Sequence, residues 1–216
     1  MALDHRLSAE ADHHERIAAL GDALDRDVAI ERIECFDVSH LAGESTVASC
    51  VVFDRSGPRK SDYHKFNINQ ARAGDDYAAM HEALNRRYSR LKREEGAMPD
   101  LILIDGGKGQ VAQALAVLDE LQIDDVLIVG IAKGVTRKPG FEKLVLHDGL
   151  REYRLASDSP ALHLLQHVGG RVRDVVHRVG QQAVEQVGVA AVEDAHTCAQ
   201  GHGYQHVPGR LLCDQA

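Results

Sequence analysis

Three aspartates, Asp37, Asp76 and Asp105, each fall where a stretch of regular structure is expected to begin or end, and together they form a candidate divalent-cation site. Carboxylate oxygens are the hard donors that Mg²⁺ and Mn²⁺ prefer, and these ions keep coordination positions open for water and phosphate. A pair of such ions about 4 Å apart activates a water and stabilises the leaving oxygen of a phosphodiester. The chemistry to which the residues point is metal-assisted phosphodiester hydrolysis. Each aspartate also has a plainer reading. An acid behind an apolar strand is often a turn former, and Asp75-Asp76 before a helix is a capping pair. The functional reading therefore depends on whether the surrounding elements bring the three to one edge.

The run 33–38 (IECFDV), which holds Asp37, is strand-like, and 45–54 (STVASCVVFD) is a second strand rich in β-branched residues. The turn 41–44 (LAGE) joins them, Ser56-Gly57-Pro58 marks another turn, and 60–68 (KSDYHKFNI) reads as a third strand. Short turns between three strands predict an antiparallel meander. Over 74–95 the period changes to that of a helix, with Tyr77, Met80, Leu84, Tyr88 and Leu91 on one face. Arg86, Arg87, Arg90, Lys92 and Arg93 are assigned to its outer, solvated side, and Gly96 and Pro99 end it. Leu101-Ile102-Leu103-Ile104 is the short continuous apolar run of a strand buried on both faces, closed by Asp105-Gly106-Gly107. A helix over 111–121, a second buried strand over 126–131, and a hairpin of 141–147 with 150–155 follow. Ser159-Pro160 then opens a helix expected to run through Gln166. The order predicts an α/β fold: a mixed sheet of three antiparallel strands, then parallel strands, flanked by helices. If the first strand adjoins 101–105, Asp37 and Asp105 face each other at the carboxyl ends of neighbouring strands, where sites form in such sheets.

Residues 1–31 read as a helical lead-in, 32–168 as the catalytic domain, and 169–216 as a divergent, weakly structured tail with no lysine. The chain has 216 residues and a net charge of −8, which argues against a general polyanion binder. Positive charge is nevertheless concentrated beside Asp105. Lys133, Arg137 and Lys138 follow the second buried strand and are candidate contacts to DNA phosphates. Lys108 is either another such contact or a solvated lysine at a helix start. Gly106-Gly107-Lys108-Gly109-Gln110 lacks the Gly-x4-Gly-Lys-Ser/Thr spacing of a nucleotide-binding loop. No apolar run approaches the roughly 20 residues that cross a bilayer, so no membrane role and a cytoplasmic location are expected. Cys35 and Cys50 lie in strand-like runs, where free cysteine acts as a small hydrophobe.

The motifs RIECFDVSH (32–40), GDDYAAM (74–80), PDLILIDGGKGQ (99–110), IAKG (131–134) and DSPALH (158–163) occur in this order. In them the chain resembles the C-terminal endonuclease domain of the UvrC family, the excinuclease subunit of bacterial nucleotide excision repair. The resemblance covers roughly residues 5–168. It implies a ribonuclease H-like fold, Mg²⁺ or Mn²⁺ as cofactor, and hydrolysis of one DNA strand on the 5′ side of a lesion. It carries the roles of catalytic metal ligands to Asp37, Asp76 and Asp105. Damaged double-stranded DNA and UvrB, acting in a UvrA-loaded complex, are the partners it implies.

The family also has a catalytic histidine in an Arg-Asp-Glu-Ala-His run directly after the His-Leu-Leu-Gln-His helix. Here Gly169-Gly170-Arg171-Val172 intervenes before Arg173-Asp174-Val175-Val176-His177. His177 is either that histidine displaced by four residues or an unrelated residue of the tail. The competing expectation to an active nuclease is a catalytically impaired DNA- or protein-binding fragment of the same family.

Overall fold

The nine-residue strand β1 (Arg32–His40) organises the fold, since it is paired along both edges. The computed structural model describes residues 2–25, 29–40, 46–72, 74–133, 142–147, 151–178, 204–207 and 210–213. On one edge β1 runs antiparallel to β2 (Thr46–Asp54), with Phe36 opposite Cys50 and Asp37 opposite Ser49. β2 in turn pairs antiparallel with the short β3 (Gly57–Pro58) and with β4 (His64–Ile68), which completes the meander. On its other edge β1 runs parallel to β5 (Leu101–Ile104), and β5 runs parallel to β6 (Leu127–Ala132). β7 (Lys143–Leu146) and β8 (Glu152–Tyr153) extend the sheet antiparallel, in the order β3-β2-β1-β5-β6-β7-β8. The mixed α/β sheet expected from the pattern is the one observed. The third strand starts later than its pattern suggested, because Lys60–Asp62 forms a single 3-10 turn.

Helices cover both faces. Phe36, Ile102 and Ile104 pack with Met80, Ala83, Leu84 and Tyr88 of α2 (Asp76–Arg93) and Val111 and Val117 of α3 (Lys108–Glu120). The alternate residues Ile33, Cys35, Leu101 and Leu103 face the opposite way. They pack with Ile17 and Leu20 of α1 (Ala2–Ala23) and with Leu164, Leu165, Val168 and Val172 of α4 (residues 160–178). Every residue of β5 is fully buried, which accounts for its unbroken apolar run. Cys35 and Cys50 are free and buried, as expected.

Two expectations are corrected. α4 does not stop near residue 166 but runs to 178, so the boundary drawn at 168 falls inside a helix. Val168, Val172 and Val176 continue the apolar stripe at i, i+4 and are all buried, and this burial outweighs the low helix propensity of Gly169 and Gly170. The first compact unit extends to His177. In the second unit, β9 (Tyr204–Val207) pairs antiparallel with β10 (Arg210–Cys213). The second correction concerns Arg87, which is buried rather than solvated. It lies four residues beyond Ala83, one turn along the inward face of α2.

Gly130 marks a close approach of β6 to its neighbours. A Cβ there meets Val111 Cγ2 at 2.5 Å, the Gly106 carbonyl at 3.0 Å and Val145 at 3.3 Å. Because one of these contacts is backbone, relaxation is restricted, and Gly130→Ala is expected to destabilise by about 1–3 kcal/mol. Urea denaturation followed by circular dichroism checks this; a loss below the error of the fit would show that the β5–α3 turn yields.

Candidate active site

The parallel register sets Phe36 beside Ile104, and the Asp105 amide continues the ladder by donating to the Phe36 carbonyl at 2.9 Å. Asp37 and Asp105 are thereby neighbours at the carboxyl ends of two adjacent parallel strands. Strand alternation aims both to the face of Cys35 and Leu103, under α4. Asp105 is almost completely enclosed, its side chain 5% exposed. Burial, and then the charge of Asp105, raise the Asp37 carboxyl from its ordinary value to about 7. Burial also raises Asp105, against the opposing pull of Arg173 and Lys133. The Cys35 thiol beneath is pushed far up, by burial first and then by both aspartates.

One atom at this point lacks a partner. Asp105 Oδ2 is buried and accepts no hydrogen bond. Arg173 Nε of α4 lies 3.1 Å from it, but that nitrogen donates to the Gly169 carbonyl at 2.9 Å. The contact with Asp105 is thus one of charge, not a hydrogen bond. Two crowded carboxylates, one with an orphaned buried oxygen and the other reluctant to ionise, fit the donor chemistry of Mg²⁺ or Mn²⁺.

Asp76 begins α2, and Asp75 is its N-cap, accepting from the Ala78 amide at 3.0 Å. The Asp76 carboxylate meets His40 Nε2 at the end of β1, and His40 Nδ1 lies 2.8 Å from Thr46 Oγ1. His40 alternates with Asp37 along β1, so it falls on the α2 side while Asp37 turns towards α4. Among the described residues, no three carboxylate, imidazole or thiol groups converge to hold an ion. The structure brings Asp37 and Asp105 together and sets Asp76 apart with His40. A groove beside Asp76 is lined by Arg72, Gly74, Asp75, Tyr77 and Gln110, and Tyr77 is 54% exposed at its wall.

His177 sits exposed on the last turn of α4. The residue of α4 set against Asp105 is Arg173, one turn earlier. Four residues advance a helix by about 1.1 turns, or about 6 Å, so the Gly-Gly-Arg-Val stretch slides the motif along nearly the same face. Lys133 is exposed and near enough to act on both aspartates. Lys108, also exposed, lies 3.6 Å from Glu152. Arg137 and Lys138 lie outside the described residues. Sequence reasoning missed two functional candidates, His40 and Arg173. His40 lies two residues beyond the expected strand 33–38, where only the RIECFDVSH motif included it, and Arg173 lies beyond the expected helix end at Gln166.

Residues 21–180 match the family model described as the UvrC RNase H endonuclease domain. The UvrABC system protein C of Alkalilimnicola ehrlichii is 60% identical over 178 residues, 82% of this chain and 28% of that protein. The protein of the same name from Pseudomonas paraeruginosa is 55% identical over 177 residues, again 82% and 28%. The chain thus spans somewhat over a quarter of the length of these relatives. Human ENDOV gives a TM-score of 0.44 at 14% identity, covering 82% of this chain and 99% of that one. Endonuclease V of Bacillus subtilis gives 0.42 at 13% identity, covering 74% and 84%. Likeness at this level leaves the assignment to the family match and to the sheet topology. The match reaches 12 residues beyond the expected limit at 168, in step with the continuation of α4, and the chain belongs to the UvrC RNase H endonuclease domain family.

Proposed function

We propose that the chain is a metal-dependent DNA endonuclease domain of nucleotide excision repair, incising one strand on the 5′ side of a lesion. The observation that carries this reading is the adjacent Asp37–Asp105 pair with its buried, unpartnered Oδ2. Mg²⁺ or Mn²⁺ would be held by Asp37 and Asp105, with Asp76 as the third ligand that the family resemblance implies. When bound, the ion supplies Lewis-acid activation of water and charge neutralisation at the scissile phosphate. The chain itself contributes the adjacent parallel strand ends that hold the carboxylates. Lys108 and Lys133 would contact the DNA backbone, Arg137 and Lys138 are assigned the same role from their place in the sequence alone, and His177 is the residue available to move a proton. Damaged duplex DNA and UvrB are the proposed partners, and the cytoplasm the proposed location.

The test is nicking of a lesion-bearing duplex and of supercoiled plasmid with Mg²⁺ or Mn²⁺, with EDTA and with Asp105→Asn as controls. Nicking is expected with either ion and with neither control. Undiminished cutting by Asp105→Asn would remove the site. A second reading, a binding module with impaired catalysis, is favoured by one observation: an arginine faces Asp105 while His177 is exposed. Retained DNA binding with no nicking under any ion would select it.

A further inference from the structure

The Asp37–Asp105 pair already has cations of the chain beside it: Lys133 acts on both aspartates from nearby, and Arg173 makes the direct contact. Arg173 Nε stands 3.1 Å from Asp105 Oδ2, the atom left without a hydrogen bond. The two partners differ sharply in exposure. The Asp105 side chain is 5% exposed and the Arg173 side chain 48%, so the arginine reaches in from the solvent side of α4. Its Nε hydrogen is committed to the Gly169 carbonyl at 2.9 Å, which leaves only charge attraction to the carboxylate. An ionic contact without a hydrogen bond, on a long half-exposed side chain, is easily given up. Arg173 also acts on the neighbouring Asp37 and on Cys35, so its charge is felt throughout the pair.

The geometry points to Arg173 as a tethered counter-ion that competes with a divalent cation for Asp105 and so sets the metal affinity of the site. The inference rests on the metal-binding reading of the Asp37–Asp105 pair and adds to it a residue that opposes loading. A guanidinium offers a single positive charge and no coordination chemistry, so a divalent ion can displace it but must overcome its attraction first. Once displaced, the same side chain is free at the mouth of the site.

The experiment is titration of the full 216-residue chain with Mn²⁺ by calorimetry, on the parent, Arg173→Ala, Arg173→Met and Asp105→Asn/Arg173→Ala. Circular dichroism verifies folding, and Arg173→Met retains the apolar stem should the alanine variant be impaired. Both single variants are expected to bind Mn²⁺ about tenfold tighter than the parent, with the effect lost in the double variant. Unchanged or weaker binding in the single variants overturns the inference and leaves the metal reading standing. Tightened binding that persists in the double variant also overturns it, since the ion would then lie elsewhere. Absence of Mn²⁺ binding in every protein overturns the metal reading, and this inference with it.

Discussion

Asp37→Asn is expected to yield a protein that no longer cuts DNA yet unfolds at a higher temperature than its parent at pH 8. The stabilisation follows from where the carboxyl titrates. Burial and the adjacent Asp105 raise Asp37 to about 7 in the native state, whereas an unfolded aspartate ionises near about 3.9. Between those values the native state retains a proton that the unfolded chain releases. Stability is therefore lost as pH rises through this window, and the loss is complete above 7. A shift of about three units at about 1.4 kcal/mol each sets an upper bound of roughly 4 kcal/mol. Burying the asparagine amide at this site offsets part of that gain, and about 2 kcal/mol is the expected result. For a chain of this length, that raises the Tm by roughly 4–8 °C in metal-free buffer at pH 8. The difference shrinks towards zero as pH approaches 4, and Mg²⁺ narrows it at pH 8 by stabilising only the parent. Thermal scans of both proteins across that pH range decide the matter. An Asn variant less stable than the parent at pH 8 would mean that the pair is not a site of stored repulsion.

That opposition between stability and chemistry explains which parts of the fold could be read in advance. The strands were legible because burial imposes a pattern on them: β5 is apolar throughout since both its faces are covered, and β1 alternates between two cores. Asp37 and Asp105 could be paired for the same reason, since neighbouring parallel strands end together. Long side chains were harder to place. Arg87 sits among four other basic residues of α2, and charge alone does not tell a solvated arginine from one that reaches a buried acid. Asp76 was assigned to the metal pair from its place at a helix start. Its observed partner, His40, depends on how β1 extends beyond Val38, which no local pattern fixes. α4 runs past its expected end at Gln166 although Gly169 and Gly170 have low helix propensity, which weighs locally against the Val168, Val172, Val176 stripe. The sheet beneath reverses that balance by burying the valines.

Arg87→Ala is expected to cost about 3–5 kcal/mol of stability, because it strands a carboxylate in the core. Glu34 is fully buried, one residue from Ile33 and on the α2 side of β1. Arg87 donates to both of its oxygens, at 2.6 and 3.1 Å, and Tyr88 Oη donates at 3.1 Å. Arg32 adds a contact at 3.0 Å and passes the chain of charge on to Asp62 at 2.8 Å. Burial pushes the Glu34 carboxyl up. The hydrogen bonds and charge of Arg87, then the charge of Arg32, outweigh it and hold the carboxyl below its ordinary value. A lowered native value means that the network's contribution is present above the unfolded value near about 4.3 and is lost as pH falls through the native one. The Arg87→Ala deficit should therefore be largest at neutral pH and shrink in acid, where a protonated Glu34 no longer needs the guanidinium. Urea midpoints at pH 7 and pH 4 measure both quantities. Joint replacement by Glu34→Leu and Arg87→Met is expected to recover most of the loss, since an apolar pair of similar volume has no charge to desolvate. A single-variant loss under about 1 kcal/mol at pH 7 would show that water reaches Glu34 once the arginine is gone. The ion pair would then be a bystander to the packing of α2 on the sheet.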